Sequence, residues 1–404
     1  MTFWNDPIHF IAEWLRGLFI GWGMSGDVAN VLIALIGAVV LASVAMVLDI
    51  LLVWVERKVV ARFQDRLGPN RLGPFGLFQP FADILKLIIK ENITPAGADK
   101  VPYNIAPILA MTAVLLLWAV LPLAPTIFGV DLNVGALYLI AAGALGTLAI
   151  ILAGWSSNNK FALIGAFRAV AMMVSYEIPM VVTLLIPTIL AGTMSLNGMV
   201  KAQDVWFVVL SPLAVIIFLI SAVAELGRAP FDLNEAESEL VAGYHVEYSG
   251  MKFGLFYAAE LLHAFTFGGF MAVLFFGGWR GPWAEQYPLL GLLYFFVKAM
   301  IGYWVFMWIR YTMPRIRIDH MLAFNWKFLT PLAFVLLMVT ALVDKALAGA
   351  ETWVYALGMF LANVVVAWVT VEILRAYSRR RRLEEEAPAK QVIRTGVEGQ
   401  AAHH

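Results

Sequence analysis

The sequence of 404 residues contains no cysteine. A chain without thiols forms no disulfide and supplies no thiolate to a zinc ion or an iron–sulfur cluster. Charge is also scarce, because Asp, Glu, Lys and Arg make up 14% of the chain, against roughly 25% in soluble domains. The formal net charge is zero, which gives no sign of a nucleic-acid partner. These deficits exclude a thiolate metal site and argue against a soluble protein.

Long apolar runs dominate what the sequence does contain. Apolar residues make up 61% of the chain, against roughly 45–50% in soluble domains. Runs of about 20 apolar residues recur, and each is long enough to cross the roughly 30 Å of hydrocarbon in a bilayer. We therefore predict an all-α integral membrane protein with about nine transmembrane helices plus amphipathic surface helices. The predicted spans are residues 28–54, 103–122, 134–155, 167–191, 205–225, 254–277, 289–310, 328–348 and 352–375.

The segments outside these spans differ from one another in character. Residues 1–27 mix aromatic and charged side chains, which predicts an amphipathic interfacial segment ahead of a polytopic membrane domain, residues 28–375. Two cytoplasmic loops, residues 56–101 and 226–253, interrupt that domain, and the first contains a predicted surface helix. Residues 376–404 carry a four-arginine run that suits anionic lipid, followed by small and polar residues. We expect this tail to be disordered.

The basic residues predict the orientation of the chain. Nine spans place the two termini on opposite sides of the membrane. Lys and Arg are concentrated in alternate connecting segments, including the loop of residues 56–101 and the tail. By the positive-inside rule these segments are cytoplasmic. We therefore expect a multi-pass protein of the cell inner (plasma) membrane, with its amino terminus outside and its carboxyl terminus in the cytoplasm.

One acidic stretch, Ala224 to Gly250, stands between two of the predicted spans. Its carboxylates face only Arg228 and Lys252 among nearby basic residues. Acidic side chains close to a bilayer are costly, so they indicate function by default. The acids of this stretch are Glu225, Asp232, Glu235, Glu237, Glu239 and Glu247. Asp232, Glu235 and Glu239 are spaced three and four residues apart, which would place them on one helix face.

A second set of charges lies within or beside the spans themselves. Asp49 and Glu56 are seven residues apart at the inner end of the first span, so they share a helix face. Glu177, Glu260 and Lys298 fall inside later spans. Glu56 and Glu260 could reach the interface by extending along the helix end, whereas Glu177 and Lys298 need a buried partner or water. A buried carboxylate balanced by an opposite charge changes protonation when its neighbours change charge.

Four stretches together resemble one known family. They are Val55 to Glu91 (VERKVVARFQDRLGPNRLGPFGLFQPFADILKLIIKE), Gly154 to Pro179, the acidic stretch continued to Glu260, and Trp308 to Leu332. In these motifs the chain is similar to the quinone-tunnel subunit of respiratory complex I, called the H subunit in bacteria and NADH dehydrogenase subunit 1 in mitochondria. The resemblance covers roughly residues 28–375 and leaves out the amino-terminal segment and the tail.

The resemblance implies a membrane subunit of a proton-translocating NADH:quinone oxidoreductase. Such a subunit forms the quinone access tunnel and the start of the proton or charge pathway that couples quinone reduction to pumping. Quinone is then the substrate, while FMN and iron–sulfur clusters belong only to partner subunits. The implied partners are peripheral-arm quinone-site subunits, small and antiporter-like membrane subunits, and membrane lipid, without nucleic acid. No catalytic residue, bound cofactor or metal site is expected in this chain alone.

The resemblance also assigns roles to particular residues. It places Glu56, Glu177, Glu225 and Glu260 in a glutamate pathway. Asp49, Glu247, Lys298 and the acids between Asp232 and Glu239 join the expected proton or charge pathway. Near the quinone chamber those acids would respond to quinone reduction, although a solvated acidic face against a basic partner is the alternative. The expected quinone-tunnel residues are Arg57, Arg62, Phe63, Phe75, Phe78, Phe81 and Tyr257.

Plainer interpretations of these residues remain open from the sequence. The arginines after the first span would also serve as ordinary cytoplasmic anchors, and the aromatic residues as packing or interface side chains. His245 fits either a proton shuttle near neutral pH or a structural histidine. A second hypothesis for the whole chain is the membrane anchor subunit of an energy-converting hydrogenase, which uses no quinone. A third, a stand-alone ion transporter, is weakened because the sequence contains no internal repeat.

Overall fold

The computed structural model describes residues 6–233, 239 and 241–401, and it describes the side chains of these residues except Pro7 and 381–401. Within those residues the regular structure is entirely helical. The helices are α1 (Pro7–Gly21), α2 (Gly26–Phe63), α3 (Gln79–Ile89), α4 (Lys100–Ala119), α5 (Gly135–Ser156), α6 (Lys160–Ala191), α7 (Leu196–Ala202), α8 (Phe207–Leu210), α9 (Pro212–Glu225), α10 (Gly250–Phe275), α11 (Pro288–Thr312), α12 (Ile318–Phe324), α13 (Thr330–Ala346) and α14 (Thr352–Ala401).

Eight helical segments in the described part of the chain are long and apolar enough to cross a membrane. They are α2, α4, α5, α6, α10, α11, the continuous α12–α13 segment and α14. The all-α membrane fold predicted from the sequence is therefore confirmed. The predicted boundaries differ most at α2, which continues to Phe63 because no Gly or Pro interrupts it between Gly37 and Gly68. Helix α14 likewise continues into the segment for which disorder is predicted.

The ninth predicted span, residues 205–225, is broken into α8 and α9. Each of these helices is too short to span a bilayer alone. They nevertheless run beside α10, since Gln203 before α8 donates to the Val273 carbonyl near the end of α10 (2.7 Å), and Arg228 after α9 lies beside Glu260 (3.5 Å), ten residues into α10. At the break, the Asn363 amide of α14 donates to the Leu210 carbonyl (3.1 Å). In α8 and α9 together, the Leu210 carbonyl at the break is therefore hydrogen-bonded by another helix, as the membrane interior requires.

Helix α10 forms the centre of the bundle. In its most apolar window 83% of the residues are buried, against 6% for α2 and 17% for α14, which lie at the periphery. Helix α10 crosses α11 at a pair of glycines: a Cβ added to Gly268 would lie 2.6 Å from the Ala299 carbonyl oxygen, and one added to Gly302 would lie 2.9 Å from Gly268 Cα. Only glycine permits this close backbone approach, which sets the position of α11 beside α10.

Prolines inside two helices are matched by hydrogen bonds from distant side chains. Pro107 in α4 has no N–H to offer the Tyr103 carbonyl, and that oxygen accepts instead from the Tyr248 hydroxyl (3.2 Å). Pro179 in α6 similarly frees the Ser175 carbonyl, which accepts from the Asn325 amide (2.6 Å). These bonds fix the loop after α9 against α4, and the π-helical turn Asn325–Leu329 against α6.

The crossing by α8 and α9 determines the topology of the carboxyl-terminal half. If the pair spans the membrane, five crossings separate α7 from the tail, so the two lie on opposite sides. Because the chain has no cysteine of its own, single substitutions Lys201→Cys and Gln391→Cys give a clean background for an impermeant maleimide. We expect one site to be labelled in intact cells and the other only after permeabilisation. Labelling of both sites from one side would show that α8 and α9 do not cross.

Candidate functional site

A buried ion cluster joins α2, α10 and α11. On α2 the inward positions are Ala45, Asp49, Leu52 and Glu56, spaced four, three and four residues apart, so that one helix face carries both carboxylates into the protein. Glu56 Oε1 accepts from Arg310 Nη1 at 3.0 Å and from the Tyr311 hydroxyl at 2.6 Å.

Arg310 and Arg228 complete the cluster around Glu260 on α10. Arg310 Nη1 lies 3.3 Å from Glu260 Oε1, and Arg228 Nε lies 3.5 Å from the same oxygen. Arg228 is buried in the loop that follows α9, with its guanidinium carbon 5.9 Å from the centroid of the Tyr303 ring. Burial acts to lower the pKa of Arg228, but the neighbouring Glu56 and Glu260 outweigh it and raise that pKa. Two cations therefore balance two anions inside the protein.

A cavity of about 220 Å³ opens beside this cluster. Its walls come from α4, α5, α6, α10, α11 and the loop after α9. The charged side chains on its lining are Glu225, Arg228, Asp232, Glu260 and Arg310. The opposite wall is apolar and includes two positions without side chains, Gly143 and Gly146. A polar cavity of this size holds several water molecules or a small polar head group.

Glu225 and Glu177 form a second acidic pair next to the cavity. Glu225 ends α9 and is buried, whereas Glu177 on α6 is half-buried, and the two carboxylates interact electrostatically. Among the described residues, Glu225 Oε2 and Asp49 Oδ1 are buried without a hydrogen-bond partner. Two carboxylates that act on each other without a cation between them cannot both ionise readily, so such a pair suits the holding of a proton.

Two acids of the acidic stretch pair with arginines from distant parts of the chain. Asp232 pairs with Arg315 at 2.8 Å, and Glu239 with Arg168 at 2.6 Å. Glu247 Oε1 accepts from the Asn159 amide at 2.7 Å, away from the cavity. Asp232 lies in irregular backbone, so the predicted helical face does not extend through it. Glu235 and Glu237, also predicted for this site, lie outside the described residues.

None of the predicted tunnel residues lines the 220 Å³ cavity, although Phe63 and Tyr257 lie close to residues that do. Arg57 pairs with Asp83 of α3. Phe63 at the end of α2 packs 5.9 Å from the Tyr311 ring, and Tyr257 is half-buried on α10. Phe78 and Phe81 form an exposed ring pair 6.2 Å apart at the start of α3. Arg62 and Phe75 line a second cleft between α2 and the loop before α3.

Lys298 is separate from the glutamates. Its ammonium donates to the carbonyls of Gly278 and Arg280, each at 2.9 Å, and lies 5.2 Å from the centroid of the Trp206 ring. These partners belong to the loop between α10 and α11 and to the residue just before α8. Carbonyl oxygens, rather than a carboxylate, thus accommodate the lysine that the sequence places within a span.

His245 is held between aromatic rings in the loop after α9. Its ring centroid lies 5.1 Å from that of Tyr244 and 5.4 Å from that of Phe253. Burial lowers the pKa of His245 to about 4, because the surrounding groups disfavour the charged imidazolium. The imidazole is therefore neutral at physiological pH, which favours the structural interpretation of this histidine over a shuttle.

Several residues of the cluster escape sequence reasoning. Arg310, Tyr311, Arg315 and Arg168 all bind acids of the site, yet each is separated from its partner by at least 50 residues. The sequence gives only a weak indication of Arg310 and Tyr311. They lie at the basic end of an apolar run, where the positive-inside rule already accounts for an arginine.

Comparison with known proteins places these features in a family. Residues 35–341 match the family model described as NADH dehydrogenase. The H subunit of NADH-quinone oxidoreductase from Dehalococcoides mccartyi (strain CBDB1) is 47% identical over 307 residues, which cover 76% of this chain and 86% of that protein. The protein of the same name from Phocaeicola vulgatus is 42% identical over 350 residues, covering 83% and 98% respectively. The ion cluster and the cavity lie entirely within the matched residues.

The balance of charge in the cluster predicts strong coupling between Arg228 and Glu260. Arg228→Gln removes one of the two arginines that compensate the buried Glu56 and the partly buried Glu260, and breaking a buried ion pair typically costs about 3–5 kcal/mol. Adding Glu260→Gln should recover much of that loss, because it removes the uncompensated charge. We would measure the apparent unfolding midpoint of the assembled protein in detergent at one fixed heating rate, since such proteins often unfold irreversibly.

The exposed pair of Arg280 and Asp204 provides a matched control for this cycle. Arg280→Gln removes the same charge from a solvated site, where an ion pair contributes at most about 1 kcal/mol. Equal shifts for Arg228→Gln and Arg280→Gln, or additive effects of Arg228→Gln and Glu260→Gln, would contradict the coupled cluster.

Proposed function

The chain belongs to the NADH dehydrogenase family, and from that premise we propose that it is the membrane subunit of a proton-translocating NADH:quinone oxidoreductase. In this role it forms the quinone access tunnel and the start of the proton or charge pathway that couples quinone reduction to pumping. The relatives, which are named as NADH-quinone oxidoreductase subunits, support the assignment at the level of the complex. Without cysteine, this chain offers no thiolate for iron–sulfur clusters, so we assign these clusters, together with FMN, to partner subunits.

The observation that carries the proposal is the balanced ion cluster of Glu56, Glu260, Arg228 and Arg310 beside a polar cavity. In such a site the protonation of each carboxylate depends on the charge of its neighbours. A negative charge that arises on quinone near the cavity would weaken the attraction between these cations and their carboxylates. Proton uptake by a nearby glutamate would restore the balance. The cluster can thereby convert a redox event into a protonation event.

The proposed pathway continues from the cavity through the second acidic pair. Glu225 lines the cavity and interacts with Glu177 on α6, whose side chain is only half-buried. Protons would pass from Glu225 to Glu177 and on towards the antiporter-like subunits. Asp49, one heptad before Glu56 on α2, extends the cluster in the opposite direction. The pairs made by Asp232 and Glu239 position the acidic loop around the cavity, while Glu247 and Lys298 make local contacts elsewhere.

We place the quinone path along α2, α3 and α10. Phe63, Phe78, Phe81 and Tyr257 present aromatic surface there, which suits an isoprenoid tail. Arg57 is tied to Asp83, which holds α3 against α2 and so sets the width of the path. The partners on this side are the peripheral-arm quinone-site subunits, and the protein sits in the cell membrane with its amino terminus outside. The basic ends of α2 and α11 and the acidic loop then face the cytoplasm.

Glu177→Gln tests the proton pathway in the assembled complex. The amide keeps the shape of the carboxyl group but cannot carry a proton, and a positioned proton-transfer group typically contributes about 10²- to 10⁴-fold. We expect quinone-dependent proton pumping in proteoliposomes to fall by at least about tenfold, following the same principle. NADH oxidation by ferricyanide should be unchanged, because that reaction needs neither quinone nor this chain.

The exposed Glu285 provides the control, since Glu285→Gln removes the same charge from the loop between α10 and α11. The complex with Glu285→Gln should pump protons as the unaltered complex does. Normal pumping per electron in Glu177→Gln would remove this residue from the pathway. Because the ferricyanide reaction does not need this chain, assembly is checked separately, by the amount of this chain that copurifies with the complex in each variant.

A further inference from the structure

The second cleft lies at the carboxyl-terminal end of α2 and has no part in the pathway described above. It has a volume of about 350 Å³ and is lined by Trp54, Lys58, Val59, Arg62 and Phe75. Its position between a membrane helix and the loop before α3 places it at the boundary between hydrocarbon and water. The chemistry of the lining indicates what it could bind.

Two cations in the cleft lack a partner of opposite charge. Among the described residues, neither Lys58 nor Arg62 forms an ion pair, although the adjacent Arg57 is paired with Asp83. Lys58 and Arg62 are four residues apart on α2, so they stand one turn apart on the same face. The Lys58 ammonium lies 6.0 Å from the centroid of the Trp54 ring. Lys58 and Arg62 together place two positive charges beside the Trp54 ring.

The remaining wall of the cleft is held in place by a specific contact. The Trp54 indole N–H donates to the Phe75 carbonyl at 3.2 Å, which ties the loop to α2. Phe75 has a φ of 55°, in the left-handed region that few non-glycine residues adopt, and its side chain is 74% exposed. The loop therefore holds the exposed ring of Phe75 at the rim of the cleft.

The face of α2 that carries the cleft changes from apolar to cationic along the helix. Val47, Leu51, Trp54, Lys58 and Arg62 are spaced four, three, four and four residues apart, so they form one continuous stripe. Val47 and Leu51 are exposed, and they precede the cations on the side of the membrane. An apolar track that ends in an aromatic ring and two cations matches the sequence of chemical groups in a phospholipid.

We propose that this cleft binds an anionic phospholipid, with its phosphate between Lys58 and Arg62 and an acyl chain along Val47 and Leu51. Charge complementarity selects the anionic head group, and the two donors supply hydrogen bonds to the phosphate oxygens. In the proposed orientation the site lies in the cytoplasmic leaflet. The inference needs only that α2 spans the membrane, so it does not depend on the assignment of the quinone path. It gives Arg62 and Phe75 a lipid contact instead of a tunnel role.

Photolabelling of the purified, assembled complex tests the proposal. The probe is a photoactivatable phosphatidylglycerol analogue in detergent solution, and the labelled peptides are identified by mass spectrometry. We expect the label on the peptides that contain residues 47–62 and 74–76. Each basic residue near an anionic lipid contributes about 1 kcal/mol, so Lys58→Gln combined with Arg62→Gln should weaken labelling roughly thirtyfold. The control pair, Lys86→Gln on α3 with Lys90→Gln just after it, both at exposed positions, should leave it unchanged.

Competition in the unaltered complex tests the same site without any substitution. Phosphatidylglycerol should displace the label, whereas phosphatidylcholine, inorganic phosphate and a short-chain quinone should not. Displacement by phosphatidylcholine would show that the head-group charge is not recognised, and displacement by phosphate would indicate a free-anion site. Displacement by quinone would assign the cleft to the quinone path. Equal losses of labelling in the two double variants would show only a general attraction of the lipid to a basic surface. Each of these four results would overturn the proposal.

Discussion

Two arginines and two glutamates share one buried site, and the electrostatics of that site constrain the elements around it. Glu56 comes from α2, Glu260 from α10, Arg310 from α11 and Arg228 from the loop after α9. A charge in a weakly polar interior is costly unless an opposite charge lies close to it, and Arg228, whose buried guanidinium nitrogens form no hydrogen bond to any described residue, depends on Glu56 and Glu260 for that compensation. The peripheral helix α2, which has few buried residues, contacts the centre of the bundle through one face that carries Asp49 and Glu56 among apolar residues.

A second constraint comes from the backbone, because every polar group inside a membrane protein needs a partner. Prolines in α4 and α6 each free a carbonyl, and the side chains of Tyr248 and Asn325 satisfy them. The break between α8 and α9 is satisfied by Asn363. The bond from Tyr248 comes from the loop after α9, and the bond from Asn325 reaches α6 two residues before Glu177, so these two bonds also help to position the acids. Local helix distortion and the placement of the charged site are thus parts of one arrangement.

The sequence was sufficient for the features that depend on local pattern. The apolar runs predicted nine spans, of which eight are single long helices; the ninth is broken at Ser211 and Pro212. The seven-residue spacing of Asp49 and Glu56 correctly predicted that they share a helix face, and the structure shows that this face is buried. Ion pairs between residues that are far apart in the chain could not be predicted from local sequence patterns. Nothing near Asp232 or Glu239 in the sequence indicates Arg315 or Arg168, and the six acids therefore seemed less compensated than they are. The sequence predicts that Lys298 needs a buried partner, but not that this partner is a pair of backbone carbonyls in the loop before its own helix. Between the two families that the motifs allowed, the matched relatives were decisive.

In the function proposed above, the ion cluster changes its protonation when quinone is reduced. Infrared difference spectroscopy of the assembled complex tests it directly, because a protonated carboxyl group has a carbonyl absorption that a carboxylate lacks. We predict that quinone reduction produces a carboxyl difference band in the unaltered complex and in Glu285→Gln, and that the band is lost or displaced in Glu260→Gln. A band that is identical in Glu260→Gln and in the unaltered complex, at equal quinone turnover, would contradict the account.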